Sequence, residues 1–206
     1  MLIAFEGGEG SGKGTQICLL KQCLESMGLD VLDIVEPGGT DVGKAIRDIL
    51  LNRKDLDILG ITEVFLFSAS RAQQIRTVTR PALDQGKIVL SDRSFYSTYA
   101  YQGVGRRQST ELVETLTDFA VGDTTPDLVI LLDISPEIGL ARKKDQNEMN
   151  RLDGETLRFH KKVRNAYLTL AEMDPKLWRV IDGEASIEQI QARVKAIVIK
   201  ALKIQS

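Results

Sequence analysis

The clearest chemistry in this chain lies near its start, in Gly7-Gly8-Glu9-Gly10-Ser11-Gly12-Lys13-Gly14-Thr15. Glycines let a backbone curl until several N–H groups point into one concavity. Such a cradle at a helix N-terminus suits a polyphosphate. Lys13 adds a full positive charge that can reach the outer phosphates. The run follows the apolar, strand-length Leu2-Ile3-Ala4-Phe5 and leads into an amphipathic stretch from Lys13 to Met27. Strand, glycine loop and helix are the context a phosphate-binding P-loop requires. The alternative is a glycine-rich turn with no ligand. Lys13 and both flanks favour the cradle.

One position departs from that pattern. A hydroxyl is expected directly after the lysine, to touch Mg²⁺, and Gly14 stands there; the hydroxyl follows at Thr15. The run Gly12-Lys13-Gly14-Thr15-Gln16 resembles adenylate kinase loops, so the departure is compatible with a P-loop. It leaves open how the metal is held.

Other residues could complete such a site. Glu36-Pro37-Gly38-Gly39-Thr40 is a tight turn, and a Glu36 carboxylate there would face the P-loop. Arg47 lies about two helical turns beyond and could reach back to a phosphate. Phe67 and Arg71 stand at i and i+4 and share a helix face, where ring and guanidinium can stack on and hydrogen-bond to a nucleobase. Core plus surface is the competing reading of that pair, and Phe65 is expected in the core. Ser91-Asp92-Arg93 ends an apolar run, so Asp92 could hold a metal and Arg93 a phosphate; a buried ion pair would look the same. Thr98 and Gln102 could both face a base edge. Asp133 either ends a Walker B strand or caps the next helix. Arg142, Lys143, Lys144 and Arg151 surround a polar segment. They are either a solvated helix end or a mobile cap whose cations close over a transferring phosphoryl group. The lone His160, among charges, is expected at the surface.

The elements that must position these residues alternate. Strand-like apolar runs fall at 2–5, 31–35, 88–91, 128–133 and 178–181. Helical patterns fall near 13–27, 41–52, 61–85, 109–121, 136–145, 154–172 and 186–203. The last opens on Ser186-Ile187-Glu188-Gln189, a capping-box signature, and its Ile187, Ile190, Val194 and Ile197 read as a core stripe. Alternation predicts an α/β fold, a parallel sheet with right-handed crossovers, and ligands beyond the carboxyl ends of the strands.

Bulk properties narrow the partners. With 206 residues, a single domain over 1–206 is expected. Net charge is −2, so a general nucleic-acid surface is not expected. Anionic substrates would need local arginines. No apolar run suggests a signal peptide or membrane span. Cys18 and Cys23 fall on different faces of one helix, should not bridge, and fit a reducing cytoplasm.

Taken together, the motifs resemble bacterial thymidylate kinases. The likeness runs from about residue 2 to 172. It rests on Phe5-Glu6-Gly7-Gly8-Glu9-Gly10-Ser11-Gly12-Lys13, Glu36-Pro37-Gly38-Gly39-Thr40, Phe67-Ser68-Ala69-Ser70-Arg71-Ala72-Gln73, Asp92-Arg93 and Ala100-Tyr101-Gln102-Gly103. The resemblance implies a P-loop NTPase-type three-layer fold with a five-stranded parallel sheet in order 2-3-1-4-5, and a small lid around 142–153. It implies transfer of the ATP γ-phosphoryl group to dTMP, with Mg²⁺, in a cytoplasmic homodimer. By position, it makes Phe67 the thymine stacker and Arg71, Gln102 and Thr98 readers of the base edge. Arg47 and Arg93 would hold the dTMP phosphate, with Glu36 and Pro37 beside them. Glu9 would lie near the 3′-hydroxyl and also near the metal with Asp92. Tyr101 would pack where a 2′-hydroxyl would sit. Lys13, Arg93, Arg142 and Arg151 would be the catalytic cations. Departures from the bacterial pattern are Val35 for an arginine, Ser94 for an aromatic, Asn150 for an aspartate, and a lysine-richer lid.

Overall fold

Each apolar run becomes a strand and each amphipathic run a helix. A computed structural model of the protein describes residues 1–146 and 149–203. Strands β1 (Leu2–Glu6), β2 (Val31–Val35), β3 (Ile88–Asp92), β4 (Leu128–Asp133) and β5 (Trp178–Asp182) form one parallel sheet, ordered β2-β3-β1-β4-β5. That is the expected α/β P-loop NTPase-type topology.

The central strand β1 is buried along its whole length, so its side chains feed two cores. Ile3 and Phe5 pack with Leu90, Ile130 and Leu132 on the side of α1 (Lys13–Ser26) and α9 (Ile187–Ala201). Ala4, Val129 and Leu131 pack on the other side with Tyr167 of α8 (Leu157–Met173). Fully burying one such aliphatic side chain contributes about 1.5–3 kcal/mol. The two layers therefore clamp β1, and its carboxyl end, which launches the P-loop, is held from both sides.

Between the strands run α2 (Asp41–Arg47), α3 (Gly60–Gln74), α4 (Arg80–Asp84), α5 (Phe95–Thr98), α6 (Thr110–Val121) and α7 (Pro136–Asp145). The helix expected over 61–85 is interrupted by a π-helical turn at Ile75–Thr79. Pro81, which has no N–H to donate, sits in the first turn of α4. The periodicity gave no helix for the segment after β3. There α5 continues into a π-helical turn, Tyr99–Gly105. Its wider turn brings residues four and five apart onto one face, a spacing that a 3.6-residue search does not detect.

Four expectations are corrected. Asp133 does end the apolar strand β4, but it neither caps a helix nor lines the cleft described below. It accepts two bonds from Arg164 of α8, at 2.7 and 2.8 Å, while Ser135 caps α7. Phe65 is 51% exposed, because the inward face of α3 is Val64, Ser68 and Arg71. His160 is buried, sharing the stripe of Phe159, Val163 and Tyr167 despite its charged sequence neighbours. Ile187 is 52% exposed, whereas Ile190 and Val194 do enter the core. The capping box of Ser186 and Gln189 forms as expected. Among the described residues no helix is long and apolar enough to cross a membrane.

Candidate functional site

Parallel strands end on the same side, and the loops that leave them there enclose a cleft of about 760 Å³. The P-loop and Ile187 line one end; Phe67, Arg71, Thr98 and Gln102 line the other.

At the first end, α1 begins at Lys13 behind Gly12, which has a left-handed φ of 89° and offers no side-chain cap. The first N–H groups of α1 are thus left for an anionic ligand. Lys13 Nζ is held over the loop by Gly7 O (3.2 Å), Gly8 O (3.0 Å) and Ser11 Oγ (3.2 Å). Burial, and then the neighbouring Arg93 charge, lower its pKa to about 8. The loop is seated backbone against backbone on α7. A Cβ at Gly10 would lie 2.8 Å from the Gly139 carbonyl carbon, and a Cβ at Gly139 would collide with the Glu9 carbonyl oxygen. Gly139 was missed by the sequence reading. Its signal was a glycine inside a helix pattern, where it costs about 1 kcal/mol relative to alanine.

Arg93 joins the two ends. Its φ is +73°, a left-handed conformation that costs a non-glycine residue about 1–2 kcal/mol. From there its guanidinium reaches Glu9 Oε1 (2.9 Å), Gly7 O (3.2 Å) and Tyr167 OH (3.3 Å). Glu9 Oε1 also accepts from Tyr101 OH at 2.8 Å. Burial works against the Glu9 carboxylate, but Arg93, Lys13 and Lys143 outweigh it and hold its pKa at about 2.

Behind this layer lies Glu6, fully buried at the end of β1. It accepts from Ser94 N (2.8 Å), Ser94 Oγ (2.7 Å), Ser97 Oγ (2.7 Å) and Tyr167 OH (2.9 Å). Burial pushes its pKa up even so, against the Arg93 charge and those hydroxyl donors. Ser94 thereby has a reason to be serine, since it also caps α5. The sequence reading assigned no part to Glu6 or Tyr167. A carboxylate closing an otherwise apolar strand was the available sign.

At the second end, Arg71 Nε donates to Glu36 Oε2 at 2.7 Å, and Nη2 to Thr98 Oγ1 at 3.1 Å. Its Nη1 is buried with no protein partner. Arg71 is thus neither apolar core nor solvated surface, but one partner of a buried ion pair with a donor left over. Arg47 Nη1 donates to Pro37 O at 2.7 Å, and Arg47, Glu36 and Pro37 all line the cleft. Phe67 lines it too and packs against the core that contains Leu50 and Tyr101.

The expected cations separate. Arg142 lines the cleft, with Nη1 on Gly183 O (3.2 Å) and Gly10 O (3.4 Å). Arg151 does not line it. It is tied to Leu50 O (2.8 Å) and to the buried Glu63 (2.6 Å). Lys143 lines the cleft instead, 2.9 Å from Asp153 and 3.8 Å from Glu9. The lid expected over 142–153 includes residues 147 and 148, which lie outside the described residues.

Among the described residues no group of three or more His, Cys, Asp or Glu is arranged as a metal cage. Mg²⁺ in a phosphate site needs no cage, since one or two carboxylates, waters and phosphate oxygens suffice. Asp92 fits that requirement, as its Oδ1 is buried without a protein partner in a residue that lines the cleft. Glu9 fits less well, because Arg93, Tyr101 and Lys143 already engage its carboxylate.

The sequence matches the thymidylate kinase family model over residues 5–194. It is 47% identical to a thymidylate kinase of Thermosipho africanus, over 98% of this chain and 100% of that one. It is 44% identical to one of Maridesulfovibrio salexigens, over 98% and 97%, and 42% identical to one of Kosmotoga olearia, over 98% and 97%.

Proposed function

The chain belongs to the thymidylate kinase family, and from that premise we propose how its own residues act. It is an ATP-dependent dTMP kinase: the γ-phosphoryl group of ATP passes to dTMP, giving dTDP and ADP, with Mg²⁺ as cofactor. The observation that carries the assignment of residues is the continuity of one cleft. A phosphate cradle and an aromatic–arginine platform open into the same space, bridged by Arg93.

In this reading, the P-loop N–H groups and Lys13 hold the ATP phosphates. Phe67 stacks on thymine, Arg71 and Gln102 address its polar edge beside Thr98, and Arg47 and Arg93 hold the acceptor phosphate. Asp92 is the carboxylate that would hold Mg²⁺, which supplies charge neutralisation on the phosphates. An oxygen of the dTMP phosphate attacks the γ-phosphorus as the bond to the ADP oxygen breaks. Phosphoryl transfer asks mainly for alignment and charge, so Lys13, Arg93, Arg142 and Lys143 are placed by function where negative charge is greatest. The attacking phosphate is already an anion, and no general base is required. Glu9 is held by Arg93 and Tyr101 as a wall for the sugar rather than as a metal ligand.

Two further features extend the proposal. The enzyme works as a homodimer, supported by Phe65 of α3 and Phe119 of α6, exposed by 51% and 75% on neighbouring helices. It works in the cytoplasm, supported by free Cys18 and Cys23. A coupled ADP-release assay over dTMP, dUMP, dCMP, CMP and AMP tests the function. Turnover should be fastest with dTMP, and no turnover with dTMP, ATP and Mg²⁺ would overturn it.

A further inference from the structure

Glu63 is fully buried in α3 and lies outside the cleft lining, yet four donors converge on it. Oε1 accepts from Arg151 Nη2 (2.6 Å) and Arg106 Nη2 (3.1 Å). Oε2 accepts from Gln102 Nε2 (3.0 Å) and Arg106 Nε (3.2 Å). Gln102 is itself 1% exposed and lines the cleft. A carboxylate between two guanidiniums accepts hydrogen bonds and gives none. The Gln102 amide must therefore turn its NH₂ end to Glu63, and its carbonyl end is the one left for the base.

We propose that Glu63 is a specificity-determining positioning residue. By fixing the polarity of the Gln102 amide, it makes the base pocket accept a ring N–H and refuse a bare ring nitrogen. Thymine carries a hydrogen on N3 and meets the carbonyl. Cytosine has a lone pair at N3 and meets another acceptor. A site built to satisfy one pattern of donors rejects the other because its own buried polar group is left unpaired. The inference rests on the reading of Gln102 as part of the base site.

The arginines sharpen the test. In Glu63→Gln the side chain keeps its shape. Arg106 and Arg151 can only donate, so they claim the new carbonyl oxygen at the Oε1 position, where two of their bonds converge. The new NH₂ then faces Gln102 and the Arg106 Nε–H, which loses its acceptor, and the Gln102 amide must turn over to present its oxygen. The cleft receives NH₂ in place of C=O, which suits cytosine.

The experiment compares kcat/KM for dTMP and for dCMP at saturating ATP. In Glu63→Gln the dTMP-to-dCMP ratio should fall by about tenfold or more, with KM for ATP unchanged. Glu63→Asp keeps the charge but withdraws it from Gln102 by one methylene, so the ratio should fall by a smaller factor. In a Gln102→Leu background, Glu63→Gln should leave the ratio where Gln102→Leu put it. A role confined to structure predicts equal losses for both nucleotides. Equal losses in both Glu63 variants, or a ratio change that persists without Gln102, would overturn the inference. A parent enzyme that favours dTMP while Glu63→Gln keeps its ratio sinks this inference alone. A parent with no preference sinks the reading of the base site as well.

Discussion

Replacing Gly139 by alanine adds one methyl group to the face of α7 that meets the P-loop backbone, and it should impair phosphoryl transfer. The new Cβ would stand well inside 3.0 Å of the Glu9 carbonyl oxygen and 3.2 Å from its carbonyl carbon. Real Cβ atoms essentially never approach an atom so closely. The obstacle is backbone, so no rotamer change relieves it. The loop must retreat by on the order of 1 Å, carrying Gly8, Gly10 and the cradle around Lys13 with it. A misplacement of that size costs about 10²-fold in rate, or about 2.7 kcal/mol of transition-state stabilisation. Stability should change less. Overpacking costs about 1–3 kcal/mol, but alanine is favoured over glycine inside a helix by about 1 kcal/mol. The net effect on Tm is then a few degrees. Steady-state kinetics with ATP and dTMP, beside a thermal melt of the same preparation, separate the two effects. A folded Gly139→Ala enzyme with kcat/KM within about threefold of the parent would refute the reasoning that seats the P-loop on this glycine.

The shifted groups of the cleft give two pH predictions. Lys13, with its pKa lowered to about 8 first by burial and then by Arg93, carries its charge below that pH and sheds it above. The kcat/KM for ATP, which reports the free enzyme, should decline above about pH 8, and Lys13→Arg should lack that decline; a parent profile level to pH 9.5 would contradict it. Glu9, held at about 2 against an ordinary 4.5, has a depressed folded-state pKa. Its stabilisation is present above pH 4.5 and lost as pH falls towards 2, up to about 3 kcal/mol. In urea unfolding, the gap between the parent and Glu9→Gln should close across that window, and a gap constant with pH would remove Glu9 from this account.

By itself the sequence determined what depends on near neighbours. Glycine spacing and Lys13 placed the phosphate cradle, alternation of short and long periodic runs set the parallel sheet, and the i, i+4 spacing of Phe67 and Arg71 put them on one face. Such features follow from local backbone geometry, and one chain segment suffices to express them. Only the tertiary structure decided which charges meet. Arg151 and Lys143 are both cations beside the same polar segment, but Arg151 ends on Glu63 and Lys143 in the cleft. Phe65 and Val64 are adjacent, and the face that α3 buries sends one outward and the other inward. Glu6, Gly139 and Glu63 received no role from the sequence, because their partners lie tens of residues away across the sheet or the helix layers. A buried carboxylate is tolerated only where donors converge on it, and a helix glycine is required only where another backbone presses against it. Those conditions arise when the layers close.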